Sequence, residues 1–141
     1  VRYLLDTTVV SDFTRGVPAV LARLKATNKG DTAICTVTAM EIEYGLMLNP
    51  ARARKIEPMV RALLGDLQVF SYEPEDATAT AAVRAALAKR GTPIGPYDVM
   101  IAGTALRRGL VMVTSNGGEF SRIRGLVLDD WRAEKPDSDR K

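Results

Sequence analysis

A chain of 141 residues, 46% hydrophobic and 26% charged, has the length and composition of one globular domain that can bury its own core without disulfides or a structural metal. It contains no histidine and a single cysteine. That excludes Ser-His-Asp triads, Cys-His pairs, imidazole bases and ordinary His/Cys zinc sites, and leaves oxygen ligands with hard cations such as Mg²⁺ or Mn²⁺ for any metal chemistry. The net charge of +3 favours a polyanionic partner only weakly.

In chain order, residues 1–5 read as a short buried strand, and a helix is expected over 9–13 after the polar break Asp6-Thr7-Thr8. The segment opens VRYLLDTTVV and reaches an acid too soon for a signal-peptide core, and no long uncharged apolar run follows. A cytoplasmic protein with no membrane partner is therefore expected. Pro18 suits the first turn of a second helix, which ends at the Asn28-Lys29-Gly30-Asp31 turn. Residues 33–37 form a second predicted strand, with Cys35 as a small core residue. Helices are predicted over 38–48 and 51–64, separated by Asn49-Pro50, and a strand over 67–70.

The Ala-rich stretch 74–90 predicts a helix that Gly91-Thr92-Pro93-Ile94-Gly95 breaks. A further helix starts near Pro96 and stops at Gly109, followed by a strand over 110–114, a loop over 115–118 and a short strand over 126–128. Apolar strands alternating with helices predict an α/β fold: a three-layer α/β/α sandwich with a mainly parallel central sheet. One domain is expected over residues 1–131, with a polar, loose tail over 132–141.

In such sheets ligands bind beyond the carboxyl ends of the strands. Asp6 directly follows the first strand, Glu41 lies in the first turns after the second, Asp98 in the first turn after Gly95-Pro96, and Asn116 and Glu119 follow the strand LVMVT. Each has a structural alternative. Asp6 can cap a helix, Thr38-x-x-Glu41 matches a capping box, Asp98 can answer a helix dipole, Asn116 suits a turn, and Glu119 reads as an exposed loop acid. Together, several carboxylates in one crevice repel one another unless a divalent cation neutralises them. Glu43, two residues from Glu41, points to a different side of the helix.

At these residues the chain resembles the PIN-domain nucleases, and among them the VapC-type toxins of bacterial toxin–antitoxin pairs. The resemblance runs from Leu4 to Trp131 and rests on four segments in order: Leu4-Leu5-Asp6-Thr7-Thr8-Val9-Val10-Ser11, Thr38-Ala39-Met40-Glu41-Ile42-Glu43-Tyr44-Gly45, Gly95-Pro96-Tyr97-Asp98-Val99-Met100-Ile101-Ala102-Gly103, and Val113-Thr114-Ser115-Asn116-Gly117-Gly118-Glu119-Phe120. It implies a PIN-like fold and an Mg²⁺-dependent endoribonuclease, with Mn²⁺ as substitute. Asp6, Glu41 and Asp98 would be metal ligands, and Asn116 and Glu119 would adjust them. The implied substrate is structured RNA, tRNA being one known class, and the implied partners are a cognate VapB-type antitoxin and a second copy in a homodimer.

The chain departs from the family pattern at a few positions. Thr8 stands where an Asn usually follows the Asp-Thr pair, a change placed to disturb the hydrogen bonds that orient the ligands. Asn116 stands where many PIN domains have a fourth acid, and Ser115 and Gly118 replace what are often Asn and Arg. The rival expectation is a catalytically weakened PIN-like module acting through protein or RNA binding. An aspartyl-phosphate phosphatase needs a second Asp at position 8, and a receiver domain needs a paired-acid pocket and a strand-end Lys that the chain lacks. For RNA phosphates the expected contacts are Arg122 or Arg124, rather than Arg107 and Arg108 at a helix C-terminus. For the antitoxin the expected groove is lined by Tyr44, Leu46, Met47, Leu48, Ile56, Met59, Val60 and Leu63.

Overall fold

The computed structural model describes residues 1–133. The elements run β1 (Tyr3–Leu5), α1 (Thr7–Thr14), α2 (Pro18–Ala26), a 3₁₀ turn (Lys29–Asp31), β2 (Thr32–Cys35), α3 (Thr36–Leu48), α4 (Pro50–Asp66), β3 (Gln68–Phe70), α5 (Pro74–Lys89), α6 (Pro96–Arg108), β4 (Val111–Val113), α7 (Gly117–Phe120) and β5 (Leu128–Asp129). The strands pair in the order β3-β2-β1-β4-β5, every pair parallel. From β1 the chain builds outward through β2 and β3, then crosses to the other side of β1 to lay down β4 and β5. The order therefore reverses beside β1, and a crevice opens beyond the ends of β1 and β4.

Strand alternation sends neighbouring residues of β1 to opposite faces, and the two cores follow from it. Leu4, with Ala33, Cys35 and Met112, packs under Val83 and Leu87 of α5 and Ile101, Ala102 and Ala105 of α6. Tyr3 and Leu5, with Ile34 and Val113, pack under Val9 and Val10 of α1, Val20 of α2, Ile42 of α3 and Val60 and Leu63 of α4. This is the expected three-layer α/β/α sandwich. Cys35 is buried in the first core and pairs with no other cysteine. Trp131 closes the second core, fully buried edge-on to Tyr3 at 5.4 Å between ring centroids, with its Nε1 donating to Asp129 at 3.1 Å. Residues 134–141, most of the expected polar tail, lie outside the described residues. Among the described residues no helix is long and apolar enough to cross a membrane.

Several helices start earlier than the sequence pattern suggests. The Asp6-Thr7-Thr8 break is itself the first turn of α1, because Asp6 caps it by accepting from the amides of Thr8 and Val9. The helix expected from Thr38 starts at Thr36, with Cys35 as its N-cap residue; Thr38 is thus buried inside α3 and the capping-box reading of Glu41 does not hold. Residues 117–118, expected in a loop, open the short helix α7, and the last strand lies at Leu128–Asp129 rather than 126–128. Gly109, at φ 66°, ends α6 in the left-handed conformation that glycine adopts freely, while the amide of Leu110 bonds back to Ala105 at 2.9 Å.

The tightest packing in the fold is between α5 and α6. A Cβ added at Gly103 would sit 2.3 Å from Thr80 Oγ1 and 2.9 Å from the Thr80 backbone. Because the backbone cannot yield as a flexible side chain does, Gly103→Ala is expected to force the helices apart and cost about 1–3 kcal/mol. Urea denaturation of the purified variant checks this; unchanged stability would mean that the two helices do not meet at this glycine.

Candidate active site

Asp6, at the end of the central strand, is the most buried acid at the crevice, with 1% of its surface exposed. A carboxylate so placed needs donors on both oxygens. One oxygen, Oδ1, accepts from the amide of Thr8 at 3.0 Å, the amide of Val9 at 3.3 Å and the hydroxyl of Thr8. The other, Oδ2, accepts from the hydroxyl of Thr114, which follows β4. Burial raises the Asp6 pKa above its ordinary value, and these hydrogen bonds oppose the rise.

Glu41, on the second turn of α3, reaches across to α1 and accepts from Thr7 Oγ1 at 2.7 Å. Asp98 lies in the first turn of α6, half-buried, and its pKa is pushed up to about 6. Burial is the largest cause, followed by the negative charges of Glu41, Asp6 and Glu119 in turn. Glu119, on α7, accepts from Asn116 Nδ2 at 2.9 Å, while the Asn116 amide donates to Thr114 Oγ1 at 3.0 Å. Residues distant in sequence thus act on one another through a shared field. All five residues singled out in the sequence stand around the end of β1 and β4, and Glu43 does not: it turns away and pairs with Arg61 on α4.

The donor set suits a hard divalent cation: carboxylate oxygens, no imidazole or thiol, and charges whose mutual repulsion a cation relieves. Among the described residues, no three of these carboxylates close on one point as placed. The hydrogen bonds explain the spacing, since Asp6 is turned toward Thr8 and Thr114 and Glu41 toward Thr7. Each carboxylate oxygen has about two acceptor positions: three donors crowd Asp6 Oδ1, while Asp6 Oδ2 and Glu41 Oε1 accept one bond each and keep a lone pair for a metal.

Arg107 and Arg108 serve the fold, as expected. Arg107 pairs with Glu73, Glu75 and Asp76, and Arg108 pairs with Asp76 and covers the Phe70 ring at 4.3 Å, so both tie α6 to α5 and β3. Arg124, expected with Arg122 at RNA phosphates, lines a groove with Leu106, which lies about two turns along α6 from Asp98, and with Ile123. The sequence reading missed Thr7 and Thr114 as hydrogen-bond partners of Glu41 and Asp6, and it singled out Thr8 only as a departure placed to disturb such bonds. It also missed Arg132, whose Nη2 donates to the Ser115 carbonyl at 2.8 Å while Asp130 holds the same guanidinium.

The PIN-domain family model matches residues 3–126. The chain belongs to the PIN-domain family. This PIN domain is 36% identical over 130 residues to the tRNA(fMet)-specific endonuclease VapC of Shigella flexneri, and 38% identical over 130 residues to the protein of the same name from Salmonella typhimurium. Each alignment covers 92% of this chain and 98% of the relative. Among solved structures, a chain in the DNA-bound VapBC complex of Salmonella typhimurium superposes with a TM-score of 0.85 at 38% identity, covering 93% of this chain and 98% of that one.

The raised Asp98 pKa has a consequence for stability. Between the ordinary carboxyl value of 3.8 and about 6, the folded chain holds a proton on Asp98 that the unfolded chain has released. Stability contributed by this group therefore falls as pH rises through that window, and the full cost is present above pH 6. Without divalent cations, Asp98→Asn is expected to raise the melting temperature at pH 7.5 by roughly a few degrees and to leave it nearly unchanged at pH 3.5. Thermal unfolding in EDTA checks this; equal destabilisation at both pH values would contradict the clustering of the acids.

Proposed function

We propose that this PIN domain is the endoribonuclease of a toxin–antitoxin pair, dependent on Mg²⁺ or, in its place, Mn²⁺, acting on structured RNA with tRNA as the first candidate. The observation that carries the reading is the field at Asp98, where Glu41, Asp6 and Glu119 all oppose its ionisation. Four acids gathered from four separate segments have no structural task that fewer would not perform, and their repulsion is what a cation relieves. The identity to relatives named as tRNA(fMet)-specific endonucleases supports both the reaction and the RNA class.

Asp6, Glu41 and Asp98 would hold the ion, directly or through water. Mg²⁺ bound there would supply a water of lowered pKa and positive charge opposite the scissile phosphate. The chain's own residues do the positioning. Thr8 and Thr114 fix the buried Asp6 carboxylate, Thr7 steadies Glu41, and Asn116 holds Glu119 at the rim. None of them needs to carry a proton to the leaving group, which agrees with a chain that has no histidine.

A VapB-type antitoxin fits a cleft among α1, α3 and α4 that runs to Glu41. Thr7, Glu41, Leu46, Arg52, Ile56 and Val60 are among its walls. Of the groove residues expected from the sequence, Val60 and Leu63 are core, whereas Tyr44, Met47 and Leu48 are exposed on α3. The likeness to a chain of the DNA-bound VapBC complex supports this partner. Against the rival reading of a catalytically weakened binding module, Thr8 makes hydrogen bonds to Asp6 and Asn116 holds Glu119.

Two measurements test the proposal. Purified protein is expected to cleave tRNA in Mg²⁺, to stop in EDTA, and to lose at least about 100-fold in rate in Asp6→Ala, which removes a ligand from the most buried position. Absence of any Mg²⁺-dependent cleavage, with the fold intact, would sink the nuclease reading. Coexpression with the product of the neighbouring gene is expected to give a complex and relieve growth arrest, and failure of both would remove the antitoxin.

A further inference from the structure

Thr8, at the position after the Asp-Thr pair, makes hydrogen bonds of its own to the first acid and to a distant loop. Thr8 replaces a side-chain amide with one hydroxyl, and that hydroxyl is placed at a junction of three segments. It donates to Asp6 Oδ1, and it accepts from the backbone amide of Ser115 at 2.9 Å. An ionised carboxylate can only accept, so the direction of both bonds is determined: the single hydroxyl proton goes to Asp6, and an oxygen lone pair faces the Ser115 N–H. Thr114 repeats the pattern one residue on, donating to Asp6 Oδ2 and accepting from the Asn116 amide.

Two parallel relays result, from consecutive peptide N–H groups through two hydroxyls to the two oxygens of one buried carboxylate. Each hydroxyl polarised by its amide becomes a better donor to Asp6. The same Ser115 peptide is held on its carbonyl side by Arg132. The loop between β4 and α7, which leads to Asn116 and Glu119, is therefore tied to Asp6 from below and to the C-terminal segment from outside.

We infer that Thr8 is a positioning residue: through its hydroxyl, the Ser115–Glu119 segment and the Asp6 carboxylate are held in one fixed relation. It works through Asp6 and the Ser115 amide and makes no contact of its own with substrate. The inference rests on the nuclease reading for its catalytic consequence, though the Ser115 hydrogen bond it describes does not.

The experiment compares Thr8→Val, which keeps the shape and removes the hydroxyl, with Thr8→Ser, which keeps the hydroxyl and removes a methyl. Amide hydrogen exchange of the metal-free protein is read first. In Thr8→Val the Ser115 amide is expected to exchange about tenfold faster or more, as for loss of a charge-linked hydrogen bond, while core amides of β1 and β4 stay protected. In Thr8→Ser it is expected to stay within about threefold of the parent. Cleavage of tRNA is read second: Thr8→Val should lower kcat about tenfold or more with KM nearly unchanged and need several-fold more Mg²⁺ for half-maximal rate, and Thr8→Ser should restore both. Unchanged Ser115 exchange in Thr8→Val would overturn the inference, as would a Thr8→Ser variant no better than Thr8→Val. If Thr8→Val does not fold, Thr8→Ser with parental exchange and kinetics beside Thr8→Ala with neither supports it, and Thr8→Ala with parental values overturns it. A parent protein that cleaves no RNA would defeat the nuclease reading alone, since the exchange result stands without it.

Discussion

A carboxylate buried at the end of the central strand sets the terms for the rest of this molecule. Asp6 is almost wholly removed from water, and a charge in that position is tolerated only where donors converge on it. Those donors come from two places that the chain must bring together: the first turn of α1, immediately after β1, and Thr114, at the end of β4. The pairing of β1 with β4, in the register Leu5 to Val113, is what sets Asp6 beside Thr114. The site and the sheet therefore depend on the same strand contact.

The same arrangement explains how a chain without histidine gathers the means for phosphodiester chemistry. Hydroxyls and backbone amides orient the acids, the acids would supply hard oxygen ligands, and Glu41, Asp6 and Glu119 add to burial in opposing the ionisation of Asp98. Arginine is spent elsewhere, with Arg107 and Arg108 clasping the buried Asp76 and Arg61 bridging α3 and α4. Arg132 alone of these reaches the acidic crevice, and there it holds a backbone carbonyl.

The departures from the family pattern take on different weights. Thr8 donates to Asp6 and accepts from the Ser115 amide, so its one hydroxyl joins the first acid to the loop after β4. Asn116 gives up a charge yet holds Glu119 through its side-chain amide, which keeps one acid at the rim. Substitution at a site is read correctly only together with the groups the new side chain meets.

Much of this was legible from the sequence because it depends on local rules. Apolar strands alternating with helices announce a parallel sheet covered on both faces, Pro96 and Gly109 bracket a helix, and acids placed after strands fall at the carboxyl edge by topology. The five site residues could be named for that reason. What the sequence could not supply was any relation between side chains far apart along the chain. That Thr8 meets Ser115, that Thr7 rather than Thr38 binds Glu41, and that Arg124 shares a groove with Leu106 all follow from how the layers pack. Periodicity records which face of an element turns inward, but hydrogen-bond partners are selected by distances of a few tenths of an ångström across different elements, and only the folded chain establishes those.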